Sequence, residues 1–86
     1  MIDIFYKPTF IKRFNSLEKA LQEEVMEKIK LFKDPKNHKQ VKVHKLHGQL
    51  SKCFSFSVNY KIRIVFQYSS KNEVVLLTVG DHEVYI

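Results

Sequence analysis

Four histidines, His38, His44, His47 and His82, stand in this 86-residue chain. One arginine, Arg63, sits inside its most apolar run, between Ile62 and Ile64. Histidine takes or gives a proton near neutrality. Arginine keeps its charge and can hold a phosphate through two parallel hydrogen bonds. Cleaving RNA through its own 2′-hydroxyl needs a base at that hydroxyl, a cation at the phosphate and an acid for the leaving oxygen. Two histidines and an arginine among lysines supply that set without a metal. A metal site is the rival use of the same residues, because His44 and His47 at a spacing of three, with the distant His82, offer three ligands. No CxxC accompanies them, and we expect neither a metal site nor a cofactor. Each histidine alone reads as an ordinary surface or hydrogen-bonded residue, so the functional argument rests on the combination.

These residues need elements to position them. Ser55 to Tyr68 is rich in β-branched and aromatic residues and reads as strand. In a strand Arg63 shares one face with Lys61 and Val65, while Ile62, Ile64 and Phe66 share the other. Burying an unpaired arginine is costly, so the Arg63 face is expected to be open. Ahead of it, Ile2, Ile4 and Tyr6 alternate with Asp3 and Phe5 as a first strand. Pro8 then starts a helical turn, Thr9 to Phe14. Ser16 is placed to cap a second helix from about Leu17 to Phe32. In that helix Leu17, Leu21, Val25, Ile29 and Phe32 recur at helical spacing. Asp34-Pro35 ends it. A basic loop, Lys36 to Val43, leads to His44-Lys45-Leu46-His47-Gly48-Gln49-Leu50. Strands follow over about Cys53 to Val58, Ile62 to Tyr68 and Val74 to Val79, joined by turns at Asn59-Tyr60-Lys61 and Ser69-Ser70-Lys71-Asn72. The order predicts an α+β domain with two helices on one face of an antiparallel four-stranded sheet.

Composition limits the possibilities further. The length implies one domain, 1–86, and 44% apolar residues suffice for one two-layer core. No run approaches the ~18 apolar residues of a membrane span, and Met1-Ile2-Asp3-Ile4 lacks a signal-peptide pattern. The single cysteine, Cys53, fits a reducing compartment. We therefore expect a cytoplasmic protein without a membrane partner. There is no GxGxxG, P-loop, HExxH or GxSxG motif. The formal net charge of +6 is concentrated between Lys28 and Arg63, where nine lysines and one arginine face a single acid, Asp34. A one-sided basic patch implies an anionic partner.

The first strand and two helices, followed by His44 to Leu50, then Tyr60-Lys61-Ile62-Arg63-Ile64-Val65-Phe66, then Gly80-Asp81-His82-Glu83-Val84-Tyr85, resemble the RelE/ParE toxin superfamily of bacterial type II toxin-antitoxin modules, and within it the YafQ-like messenger-RNA interferases. The resemblance implies a ribosome-dependent, metal-independent endoribonuclease that inhibits translation. Its implied partners are messenger RNA, the ribosome and a cognate antitoxin. His44 and His82 match catalytic histidines of YafQ-type toxins, and Arg63 an arginine that contacts the reacting phosphate. Tyr85 resembles a C-terminal tyrosine of RelE, Ile86 falls at a functional phenylalanine of YafQ, and His47 is a second candidate base. Lys42, Lys45, Lys52 and Lys61 are the expected RNA-binding residues. The chain departs from the YafQ pattern at Ser57 and Lys61, where the family has a further histidine and an aspartate, and at Cys53-Phe54, in place of the usual tryptophan or tyrosine. Two other readings accompany this one: a ParE-like toxin that acts on gyrase without nuclease chemistry, and a non-enzymatic basic RNA- or protein-binding module. ParE-type chains generally lack the C-terminal histidine, so His82 together with His44 favours the nuclease.

Overall fold

The computed structural model describes residues 1–81. Strand β1 is Asp3–Tyr6, helix α1 Pro8–Asn15 and helix α2 Lys19–Phe32. A 3₁₀ turn, Pro35–Asn37, leads into the short strand β2, His44–Lys45. A second 3₁₀ turn, Gly48–Leu50, precedes β3, Phe54–Ser57. Strands β4, Arg63–Ser70, and β5, Glu73–Gly80, follow. The helix-covered side of the sheet holds the main core. There Val25, Ile29 and Phe32 of α2 meet Phe56, Ile64, Phe66, Val74 and Leu76, with Leu17 and Leu21 packed at its margin. Phe32 is the hub: its ring lies 4.3 Å from Phe56, 4.8 Å from Phe66 and 4.7 Å from the His38 imidazole. No helix among the described residues is long and apolar enough to cross a membrane.

The sheet has five strands, not four, in the order β1-β5-β4-β3-β2. It is mixed: β1 runs parallel to β5, and the other pairs are antiparallel. The parallel pair joins the first and last of the described strands. β1 and β5 are separated by both helices and three strands, and no tight hairpin forces them to run in opposite directions. The extra strand, β2, is two residues long, too short to leave an alternation in the sequence. It is aligned by the loop before it. Val41 is buried in the core, and its carbonyl accepts a 2.8 Å hydrogen bond from the Ser57 amide. Ser16 also differs from expectation. Its hydroxyl and its amide both donate to the Arg13 carbonyl, at 2.7 and 3.1 Å, so it closes α1. The extended residue before α2 is Glu18, which makes no side-chain cap.

The second sheet face is not wholly open. Leu46, Cys53 and Val65 form a small buried cluster there, with Leu50 and Leu77 packed against it. The excursion between β2 and β3 thus folds over the middle of this face. The end marked by Ser57, Arg63 and Gly80 lies beyond this cluster and stays accessible among the described residues.

Candidate active site

Arg63 opens β4, opposite Ser57 on one side and Gly80 on the other. The glycine brings no side chain to that flank. Arg63 is half-buried, and its charge is met by backbone: Nη1 donates to the Asn59 carbonyl at 2.6 Å and to the Ile62 carbonyl at 3.3 Å. Both bonds use one nitrogen, so among the described residues Nη2 and Nε make no hydrogen bond and can meet a phosphate. Asn59 organises the turn beneath. Its Oδ1 accepts from the amides of Lys61 at 2.8 Å and Ile62 at 2.7 Å, and its Nδ2 donates to Glu24 Oε1 of α2 at 2.7 Å.

His44 lies on the same sheet face, in β2, paired with Ser55 of β3. Its Nδ1 is 2.9 Å from the Lys42 carbonyl, and its Nε2 is 3.2 Å from Ser55 Oγ. A carbonyl oxygen only accepts, so Nδ1 carries the proton and donates. In the neutral ring Nε2 is then an acceptor, and the Ser55 hydroxyl donates to it. Ser55 is fully buried while His44 is exposed. A substrate can reach the imidazole but not the hydroxyl, which argues against a serine nucleophile. Two strands and two residues separate His44 from Arg63, a backbone distance of about 12 Å from ordinary strand spacing and rise. The Arg63 guanidinium rests on the Asn59–Ile62 turn and the His44 ring on Lys42 and Ser55, so a substrate would have to span the face between them.

The loop before His44 is held firmly. His38 stacks on Phe32, and its Nε2 donates to the Phe32 carbonyl at 2.9 Å. Asn37 Nδ2 donates to the Leu31 carbonyl at 2.9 Å. The Val43 amide returns to the His38 carbonyl. Lys42 takes a left-handed backbone, φ 59°, and thereby presents the carbonyl that holds His44. A depression of about 290 Å³ lies between this loop, α2 and Arg63, and its walls include Lys28, Lys42, Ser57 and Tyr60. A neighbouring one of about 330 Å³ is lined by Tyr60, Lys61, Arg63 and Asp81.

The remaining expected residues are divided. Lys42 and Lys61 gather at the Arg63 end. Lys45 pairs with Phe54 and so points to the opposite face from His44. Lys52 and His47 are exposed where the chain runs past β2 towards Cys53, at the far end of β3 from Arg63. His82, Tyr85 and Ile86 lie outside the described residues. Ser57 does face Arg63 across the ladder, without the imidazole that the resemblance placed there. Among the described residues no three His, Cys, Asp or Glu side chains come together as a metal-ligand set. Sequence reasoning missed Asn59, Lys28 and Ser55. Asn59 carried a readable signal, since asparagine opening a turn commonly bonds the amides that follow it.

No family model and no curated protein matches this sequence. Solved structures do match. YafQ from Escherichia coli superposes with a TM-score of 0.76 at 14% identity, over 100% of this chain and 99% of that one. The RelBE2 toxin-antitoxin complex of Mycobacterium tuberculosis gives 0.73 at 17% identity, over 94% of this chain and 98% of that one. A conserved hypothetical protein of Helicobacter pylori gives 0.72 at 22% identity, over 96% and 97%. The fold is that of the RelE- and YafQ-type toxins. Agreement at end-to-end coverage and such low identity reflects shared topology, with β1, two helices and a meander in the same order.

Proposed function

We propose that the chain is the toxin of a type II toxin-antitoxin module and an endoribonuclease that cleaves messenger RNA on the ribosome. The observation that carries this reading is Arg63, with two guanidinium nitrogens unspent among the described residues, on the same sheet face as an exposed His44 whose Nε2 accepts from the Ser55 hydroxyl. The toxin fold supports it, as do the antitoxin-bound complexes among the similar structures. In the reaction Arg63 holds the scissile phosphate. The Ser55 hydroxyl first turns away from His44 Nε2, whose freed lone pair takes the 2′-hydroxyl proton as O2′ attacks phosphorus. The P–O5′ bond breaks, and His82 gives its proton to O5′. The products are a 2′,3′-cyclic phosphate and a 5′-hydroxyl, and no step requires a metal. Lys28, Lys42 and Lys61 draw in the RNA backbone. A cognate antitoxin neutralises the toxin by covering this basic end.

The role of His82 rests on the resemblance and on its place two residues after Gly80, which pairs with Arg63. Loss of a general acid typically slows a reaction by about 10²–10⁴, and loss of a contact to developing charge by about 10²–10³. His82→Ala and Arg63→Ala should each slow message cleavage in a translation extract by such factors, with antitoxin binding intact and chelators without effect. Full-rate cleavage by both variants would overturn the nuclease reading, and gyrase supercoiling would become the assay to run.

A further inference from the structure

The turn that anchors Arg63 also presents an aromatic ring to solvent. Tyr60, at its tip, is 92% exposed. It has neither a ring contact nor a hydrogen-bonded side chain among the described residues. A single exposed aromatic is ordinary on a protein surface, but two features set this one apart. Three surface depressions meet at it, of about 350, 290 and 330 Å³, and the last two also touch Arg63. Lys28, Lys42 and Lys61 stand in their walls. The backbone beneath is also fixed. Asn59 ties the turn to Glu24 of α2, bonds the two amides after Tyr60, and gives its carbonyl to the Arg63 guanidinium. The ring and the guanidinium are thus mounted on one stapled turn.

We propose that Tyr60 is a stacking platform for one nucleobase of single-stranded RNA, next to the phosphate that Arg63 holds. This rests on the reading above and adds how the site grips its substrate. Sites for single strands combine cations that follow the backbone with aromatic rings on which bases stack, and every base has a π-face to offer. Tyr60 supplies the ring and the surrounding lysines the cations. The turn keeps the two in register without a change of shape on binding.

The chain contains no tryptophan, so Tyr60→Trp creates a single fluorescent reporter. The ligand is a short 2′-O-methyl oligonucleotide, which cannot be cleaved, compared at low salt with an abasic strand of the same length. The base-bearing strand should quench the emission of the Tyr60→Trp variant, and the abasic strand should not. Tyr60→Ala should weaken the base-bearing strand by about 10- to 100-fold, with Tyr60→Phe near wild type and the abasic strand binding all forms alike. Unchanged affinity in Tyr60→Ala, unmoved emission at saturation, or no measurable binding of the base-bearing strand would overturn the proposal. So would a Tyr60→Ala variant that loses only antitoxin affinity, which would assign the ring to a protein interface. If the wild type cleaves message and Tyr60→Ala binds RNA normally, the stacking site falls and the nuclease stands. If quenching depends on the bases and no cleavage occurs, the stacking site stands and the nuclease falls.

Discussion

The two faces of the sheet are built from the same strands yet carry opposite duties. Along β3, Phe54 and Phe56 turn to the helices, while Ser55 and Ser57 turn away. Along β4, Ile64 and Phe66 join the main core, while Arg63 and Val65 face the other side. One face is an aromatic interior closed by α2. The other has a small apolar cluster in its middle and polar residues towards one end. The contrast teaches that simple alternation assigns stability to one face and leaves chemistry for the other. Loss of either should therefore be separable from loss of the other.

The largest effect on stability belongs to the closed face. Phe32 is fully buried and touches two phenylalanines and an imidazole. Replacing a buried phenylalanine by alanine costs about 3–5 kcal/mol, through lost transfer energy and the cavity left behind. That is a large part of the roughly 5–15 kcal/mol available to a domain. Phe32→Ala should lower the urea midpoint accordingly, and it should also loosen the His38 loop that carries Lys42 and His44. A loss below about 1 kcal/mol, within the range of an ordinary surface change, would mean that the helix-covered face is not what holds the molecule together.

The open face is tested by comparing His44 with His47. His44 shares a face and an end with Arg63, whereas His47 lies towards the other end of β3. His44→Ala should cut cleavage by about 10²–10⁴ with little change in stability. His47→Ala should leave the rate near wild type. The reverse result would move the base to His47 and the substrate to the far end of the sheet.

These placements also show what could be read from the chain alone. The apolar stripe of α2 and the two long strands, β4 and β5, were legible, because each repeats a period over enough residues to be unambiguous, and the four-residue β3 was legible from its Phe-Ser alternation. The parallel alignment of β1 and the two-residue β2 were not. Pairing direction and short edges are decided by distant contacts, such as the Ser57 amide on the Val41 carbonyl. Within the site, residue types suggested His44 and Arg63, and the sheet register puts them on one face. Equal-looking lysines proved unequal for the same reason. Lys42 and Lys61 reach the Arg63 end, while Lys45 is turned to the other face by the pleat. Pleat and register are invisible in a charge count.

The smallest expected effect tests how the open face is held in shape. Lys42 occupies the left-handed region, φ 59°, which costs an L-residue with a Cβ about 1–2 kcal/mol. Glycine adopts that conformation freely but gives up more chain entropy on folding, about 0.5–1 kcal/mol. The first quantity slightly exceeds the second, so Lys42→Gly should stabilise the fold by roughly 0.5 kcal/mol, a rise of about 2–4 °C in melting temperature for a domain of this size. Lys42→Ala keeps the strained conformation and should melt at or just below the wild type. Both variants lose the cation beside Arg63 and should bind RNA less tightly, with a shallower salt dependence. Any difference in cleavage between Lys42→Gly and Lys42→Ala then measures the backbone alone, because both lack the charge and they differ only in how readily residue 42 holds the conformation whose carbonyl fixes His44 Nδ1. Equal cleavage by the two variants would show that the carbonyl bond does not limit catalysis, and that Ser55 suffices to orient the ring.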